Sequence, residues 1–227
     1  MKPYATLPPL FSVRRALLAG AFAIAGITLL QGCIPVMFAG VGAGALMVSD
    51  RRTTGTYVDD EAIEQKASNL ISQNFGTANH VNVTSYNRNV LLTGEVQDEQ
   101  VKAEVQRLTG TVANVNAVVN ELNVGPPSSF SSRTSDTVIT GRVKARFLNN
   151  GVFSPNHIKI VTEAGVVFLL GVVTHAEAEK ATEIASTSDS SVKRVVRVFE
   201  YISEKDAKTR ESRDDTNTDS NSPPEAP

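Results

Sequence analysis

The chain contains no tryptophan, and Cys33 is the only cysteine among its 227 residues. A lone thiol excludes an intramolecular disulfide and any metal centre built mainly from cysteine. Histidine is scarce too, with only His80, His157 and His175. No HExxH pair, nucleophile elbow or phosphate loop occurs, so the common local signatures of metal-assisted hydrolysis, acyl transfer and nucleotide chemistry are missing. The formal net charge of −2 says little about partners, but its distribution says more. Residues 1–55 carry a net +4, residues 56–124 a net −5, residues 125–202 a net +2 and residues 203–227 a net −3. Two regions of opposite sign are expected to meet different surfaces.

The first thirty-odd residues read as an address. Lys2, Arg14 and Arg15 precede an uncharged apolar run from Ala16 to Leu30, and Leu30-Gln31-Gly32-Cys33 follows. A basic start, a short apolar run and small residues before a cut describe a secretory signal peptide, expected over 1–32. With cysteine at the cut, the segment resembles a bacterial lipobox, which implies lipidation of Cys33. Ile34, rather than Asp, follows that cysteine, and the resemblance then implies sorting to the outer membrane. Gly40, Gly42 and Gly44 lack the enclosing strand, turn and helix of a dinucleotide fingerprint. Residues 33–55 are therefore expected to be a lipidated, membrane-proximal tether.

Beyond the tether the sequence repeats itself. A shift of 77 residues places Asp59 on Asp136, Asn79-His80 on Asn156-His157, and Val90, Leu92, Gly94 and Val96 on Val167, Leu169, Gly171 and Val173. Each copy predicts the order α-β-β-α-β. In the first, a helix runs over 59–74, strands over 81–86 and 90–96, a helix capped by Asp98, and a strand over 115–124. The second predicts helices over 136–149 and 176–187, and strands over 158–162, 166–173 and 192–202. Asp59, Asp60 and Glu61 are expected to complement the dipole of the first helix. Gly94 and Gly171 interrupt apolar strands and are read as packing devices. Pro126, Pro127 and the following serines predict a linker over 125–133. The polar residues 203–227 are expected to be disordered.

Val90-Leu91-Leu92-Thr93-Gly94 and Val167-Phe168-Leu169-Leu170-Gly171, with Thr56-Tyr57-Val58-Asp59-Asp60 and Val192-Lys193-Arg194-Val195, resemble the BON family. The resemblance covers roughly residues 28–202. It implies an α+β fold with modules over 56–124 and 134–202, each packing helices on a small three-stranded sheet. A lipobox followed by two such modules resembles the dual-BON outer-membrane lipoproteins, which are associated with envelope integrity, division and phospholipid binding.

No catalytic residue and no cofactor is expected. Adjacent acids at a helix start cannot face each other across a cleft, as glycoside chemistry requires. The histidines are read as surface or strand-edge residues. The best functional candidate is the first helix of the second module, where Ile139, Val143 and Phe147 make a core stripe. Arg142 and Arg146 share a face, with Val138 beside it; an apolar tip flanked by basic residues suits an anionic headgroup region. The resemblance implies phospholipid binding through this helix, with an aromatic where Val138 stands, and Phe147 and Phe153 are considered as substitutes. The expected lipid-binding set is Val138, Ile139, Arg142 and Arg146. The expected partner is an anionic phospholipid membrane at the periplasmic face of the outer membrane, with no nucleic acid. The alternative is an adaptor that recruits an envelope assembly or cell-wall protein through its acidic first module.

Overall fold

The computed structural model describes residues 50–76 and 79–219, so the expected signal peptide and Cys33 lie outside the described residues. The first module runs α1 (Thr54–Phe75), β1 (His80–Tyr86), β2 (Asn89–Val96), α2 (Glu99–Gly110), β3 (Ala117–Asn120) and β4 (Asn123–Val124). The second runs α3 (Phe130–Phe147), a short 3-10 turn, β5 (Ile158–Glu163), β6 (Val166–Val173), α4 (His175–Thr187) and β7 (Arg194–Tyr201), followed by α5 (Glu204–Asp219). In each module two antiparallel strands form a hairpin, and the last strand returns parallel to the central one. The two-residue turns Asn87-Arg88 and Ala164-Gly165 have positive φ throughout, the backbone that matches the twist of a tight hairpin.

Alternation along the central strands divides their side chains between two layers. Val90, Leu92 and Val96 enter the helix-side core of the first module with Ile63 and Val105. Val167, Leu169 and Val173 do the same in the second with Ile139, Val143 and Phe147. The opposite faces supply Tyr86, Leu91, Phe168, Leu170 and Val172 to a third cluster shared by both modules. Each module of about 70 residues is near the size at which a lone core is marginal, and this shared layer adds buried apolar area to both.

Three expectations require correction. First, α1 begins at Thr54, capped by Thr53, and has no acid in its first turn. Asp60 is instead buried in the second turn and binds the hairpin, accepting from the Asn87 amide at 2.9 Å and the Arg88 amide at 2.7 Å. Asp136 does the same for Ala164 and Gly165 at 2.9 and 2.8 Å. The structural partner of Asp136 is therefore Asp60, not Asp59. The buried sets Asp60, Ile63, Ala67, Ile71 and Asp136, Ile139, Val143, Phe147 correspond at an offset of 76. One residue is gained between helix and strand, and the 77-residue offset holds from the strands onward. Second, the expected linker is shorter than 125–133, because Ser129 caps a helix that starts at Phe130 and takes in its last four residues. Third, the expected disordered tail carries α5. Its start is held by the Ser203 hydroxyl, which accepts from the Asp206 amide at 3.1 Å, and Ala207 is buried. A polar composition concealed how little apolar surface this docking uses.

Candidate functional site

Successive residues of α3 turn by about 100°, so Ile139, Val143 and Phe147 share one face and Val138 lies on the other. Ile139 is 2% exposed and belongs to the core. It cannot touch a membrane while the module is folded, which corrects its place in the expected lipid-binding set. Val138 is 47% exposed. Arg142 and Arg146 lie about 40° and 80° to one side of it, and Phe130 and Leu148 about 80° to the other. Phe130 is 80% exposed and Leu148 72%. Sequence reading missed both, although a serine followed by a periodic run was the available sign of an earlier helix start. The substitutes considered for the missing aromatic are not on the surface. Phe147 and Phe153 are buried and meet edge-to-face at 5.0 Å.

The two arginines are held before any ligand arrives. Arg142 pairs with Asp189, whose carboxyl is kept below its ordinary pKa by the Ser191 amide and then by Arg142. Arg146 donates to the Thr187 carbonyl at 2.6 Å, at the negative end of α4. Both contacts are exposed, so water and side-chain entropy keep them weak and a phosphate can compete for either guanidinium. Beside α3, Lys144 and Leu148 border a cleft of about 580 Å³ with Arg52 and Lys159. The latter two are already paired, Arg52 with Asp50 and Asp60 and Lys159 with Glu64.

Gly94 and Gly171 occupy equivalent positions, and the neighbouring strand explains both. A Cβ at Gly94 would lie 2.0 Å from the His80 carbonyl oxygen, and Gly94 has φ +112°. A Cβ at Gly171 would lie 2.5 Å from the His157 carbonyl oxygen. It is this close backbone approach, not the following helix, that leaves no room for a side chain.

His157 is not at the surface: it is 3% exposed, and neither ring nitrogen has a hydrogen-bond partner. Burial, and then the charge of Arg51, depress its pKa. His80 is half-buried and lies 3.0 Å from Glu95, and His175 stacks on Tyr201. Arg51, expected in the tether, is buried in the second module. It donates to the Val172 carbonyl at 3.0 Å, to both oxygens of Glu177 at 2.7 and 2.8 Å, and to Glu211 of α5 at 2.7 Å. Burial opposes the Arg51 charge, but these carboxylates outweigh it and raise the pKa. Its neighbour Arg52 joins the first module, bonding Asp60 at 2.8 Å and lying 4.0 Å over the Tyr86 ring.

Residues 59–126 and 135–203 each match the BON domain. The chain is 39% identical to Outer membrane lipoprotein DolP of Haemophilus influenzae over 87% of its own length and 99% of that protein. It is 30% identical to a 21 kDa hemolysin of Actinobacillus pleuropneumoniae, over 67% of this chain and 79% of the relative. With Osmotically-inducible protein Y of Escherichia coli it shares 28% identity over 65% of this chain and 75% of the relative. The repeated helix-on-sheet modules and these matches agree: the chain belongs to the BON domain family, as a two-copy member homologous to an outer-membrane lipoprotein.

Proposed function

We propose that the protein is an outer-membrane lipoprotein, anchored through Cys33 at the periplasmic face, that binds anionic phospholipid through α3 and maintains envelope integrity. The observation that carries this reading is the exposed face of α3, where apolar Phe130, Val138 and Leu148 lie beside Arg142 and Arg146. Such a face sits at the boundary between headgroups and acyl chains, and each basic residue adds about 1 kcal/mol near an anionic surface. The lipobox-like segment and the relative named as an outer-membrane lipoprotein support the location. Among the described residues no helix is long and apolar enough to cross a membrane.

Flotation of residues 50–227 with vesicles of neutral lipid, with and without an anionic lipid, tests the reading. Binding should require the anionic lipid and fall with salt. Arg142→Glu combined with Arg146→Glu should abolish it while leaving the circular dichroism spectrum unchanged. Val138→Trp should strengthen it a few-fold, whereas the equivalent Ala62→Trp on α1 should not. Binding to neutral vesicles alone would reject the reading. Absence of vesicle binding would favour the adaptor, whose surface would be the acidic α1 around exposed Val58.

A further inference from the structure

A second site lies between the modules, away from α3's exposed face. His80 opens β1 and is the cross-strand partner of Glu95 on β2, with its Nδ1 3.0 Å from Glu95 Oε2. Glu163, the last residue of β5, reaches this pair from the other module, and its Oε2 accepts from Asn82 Nδ2 at 2.9 Å. One ligand atom from each of His80, Glu95 and Glu163 lies within 4.8 Å of the other two. Both carboxylates are more than nine-tenths buried, and burial raises the Glu163 pKa. Two acids from different modules thus share one small volume with an imidazole. Arg133 lines the adjoining cleft but forms no ion pair with either.

The repeat shows that this grouping is not a by-product of the fold. At the pseudo-equivalent end of the interface, His157 replaces His80, Val172 replaces Glu95 and Tyr86 replaces Glu163. There the Tyr86 hydroxyl simply donates to the His157 carbonyl at 3.1 Å. Among the described residues, only the His80 end brings one ligand atom from each of three such groups within 4.8 Å of one another.

We propose that His80, Glu95 and Glu163 form a zinc site that joins the two modules. Imidazole nitrogen and carboxylate oxygen are both ligand types that zinc takes, and three of them leave a fourth position for water. Tetrahedral zinc with ligands at about 2.0–2.2 Å sets donor atoms roughly 3.3–3.6 Å apart, so side-chain rotation must bring Glu163 in and part His80 Nδ1 slightly from Glu95 Oε2, 3.0 Å away. Calcium is disfavoured, because it requires six to eight oxygen ligands. A dication would neutralise the two buried carboxylates and tie β1 and β2 to β5.

The test is calorimetric titration of the chelator-treated full chain with zinc chloride, using Cys33→Ser so that the thiol does not compete. One zinc should bind per chain and raise the melting temperature, and magnesium should do neither. Glu163→Gln keeps an acceptor for Asn82 and removes a buried charge, so it should fold and melt at or above the wild-type apo temperature. It should nevertheless weaken zinc binding by more than the roughly 100-fold that loss of a ligand's hydrogen-bond partner costs. His80→Ala should do the same, whereas His175→Ala should retain both zinc and the thermal shift. Absence of a one-to-one zinc isotherm overturns the proposal, as does an isotherm that survives Glu163→Gln or is lost in His175→Ala.

Discussion

The two modules share a fold but differ in which parts of it face the rest of the protein. Their helix-side cores, hairpin turns and central strands correspond residue by residue, and in each a buried aspartate from the first helix holds the hairpin amides. The edges have diverged. In the second module β7 pairs continuously along β6. In the first, the corresponding strand breaks opposite Thr93 and Gly94, and Leu122 turns into the core. α1 is acidic on its outer side and α3 is apolar and basic. The comparison teaches that the repeat preserves what folds a module, while the unrepeated residues carry the candidate functions.

The hairpin clamp offers the largest expected break in the symmetry. Asp136→Ala strands the Ala164 and Gly165 amides and should cost roughly 3–6 kcal/mol at ~1.5–3 kcal/mol per charged hydrogen bond. Asp60→Ala should cost more, because Asp60 also accepts from Ser85 and pairs with Arg52. Urea unfolding of the two variants checks this, and equal midpoints would show that the extra partners of Asp60 contribute nothing. The glycines sharpen the same contrast. Overpacking at Gly171→Ala should cost about 1–3 kcal/mol, and Gly94→Ala should exceed it because positive φ adds strain of about 1–3 kcal/mol. A reversed order in thermal melts would contradict the backbone account.

The smallest expected effect is the pH dependence that His157 brings to the second module. Buried His157 binds its proton more weakly in the folded chain than its ordinary pKa of 6.5. As pH falls through that value, the unfolded chain takes up the proton more readily and stability declines. Glu177, Glu211 and Asp50 partly offset this by favouring the charged ring, while Arg51 reinforces it. Denaturation between pH 7 and 5 should therefore show a steeper loss for wild type than for His157→Gln. Parallel curves would mean that His157 does not titrate differently on folding.

Much of the fold was legible because alternation and strand glycines report directly on sheet packing. The α-β-β-α-β order, the hairpins and the paired Gly94 and Gly171 follow from those signals. Helix phase was less legible. An acid near a helix start looks like dipole compensation, and only the folded hairpin shows Asp60 reaching across to amides some twenty-seven residues later. The Phe130 turn of α3 was hidden by prolines and serines that also suit a linker. His157 matched His80 in sequence, yet it is buried and has the charges of Arg51 and Glu211, which lie outside the repeat, beside it. The face of α3 was visible as Val138 and the two arginines, but neither Phe130 nor Leu148 was. The Glu163 contribution to the interface was invisible, because nothing local in sequence says which face of one module meets the other.

Arg51 also changes the mechanics of anchoring. By chain order the first module follows the anchor, but the clasp to Val172, Glu177 and Glu211 ties the tether's far end to the second module. Eighteen residue steps separate Cys33 from Arg51, a contour of at most about 60–65 Å at ~3.3–3.6 Å per residue. With a lipid on Cys33, the module bearing α3 is therefore leashed directly, without the first module as an intervening spacer. Tethering to a lipid would confine the module near the bilayer at an effective concentration of order millimolar. A membrane contact too weak to be occupied by the free module would then be made and broken continually by the anchored one.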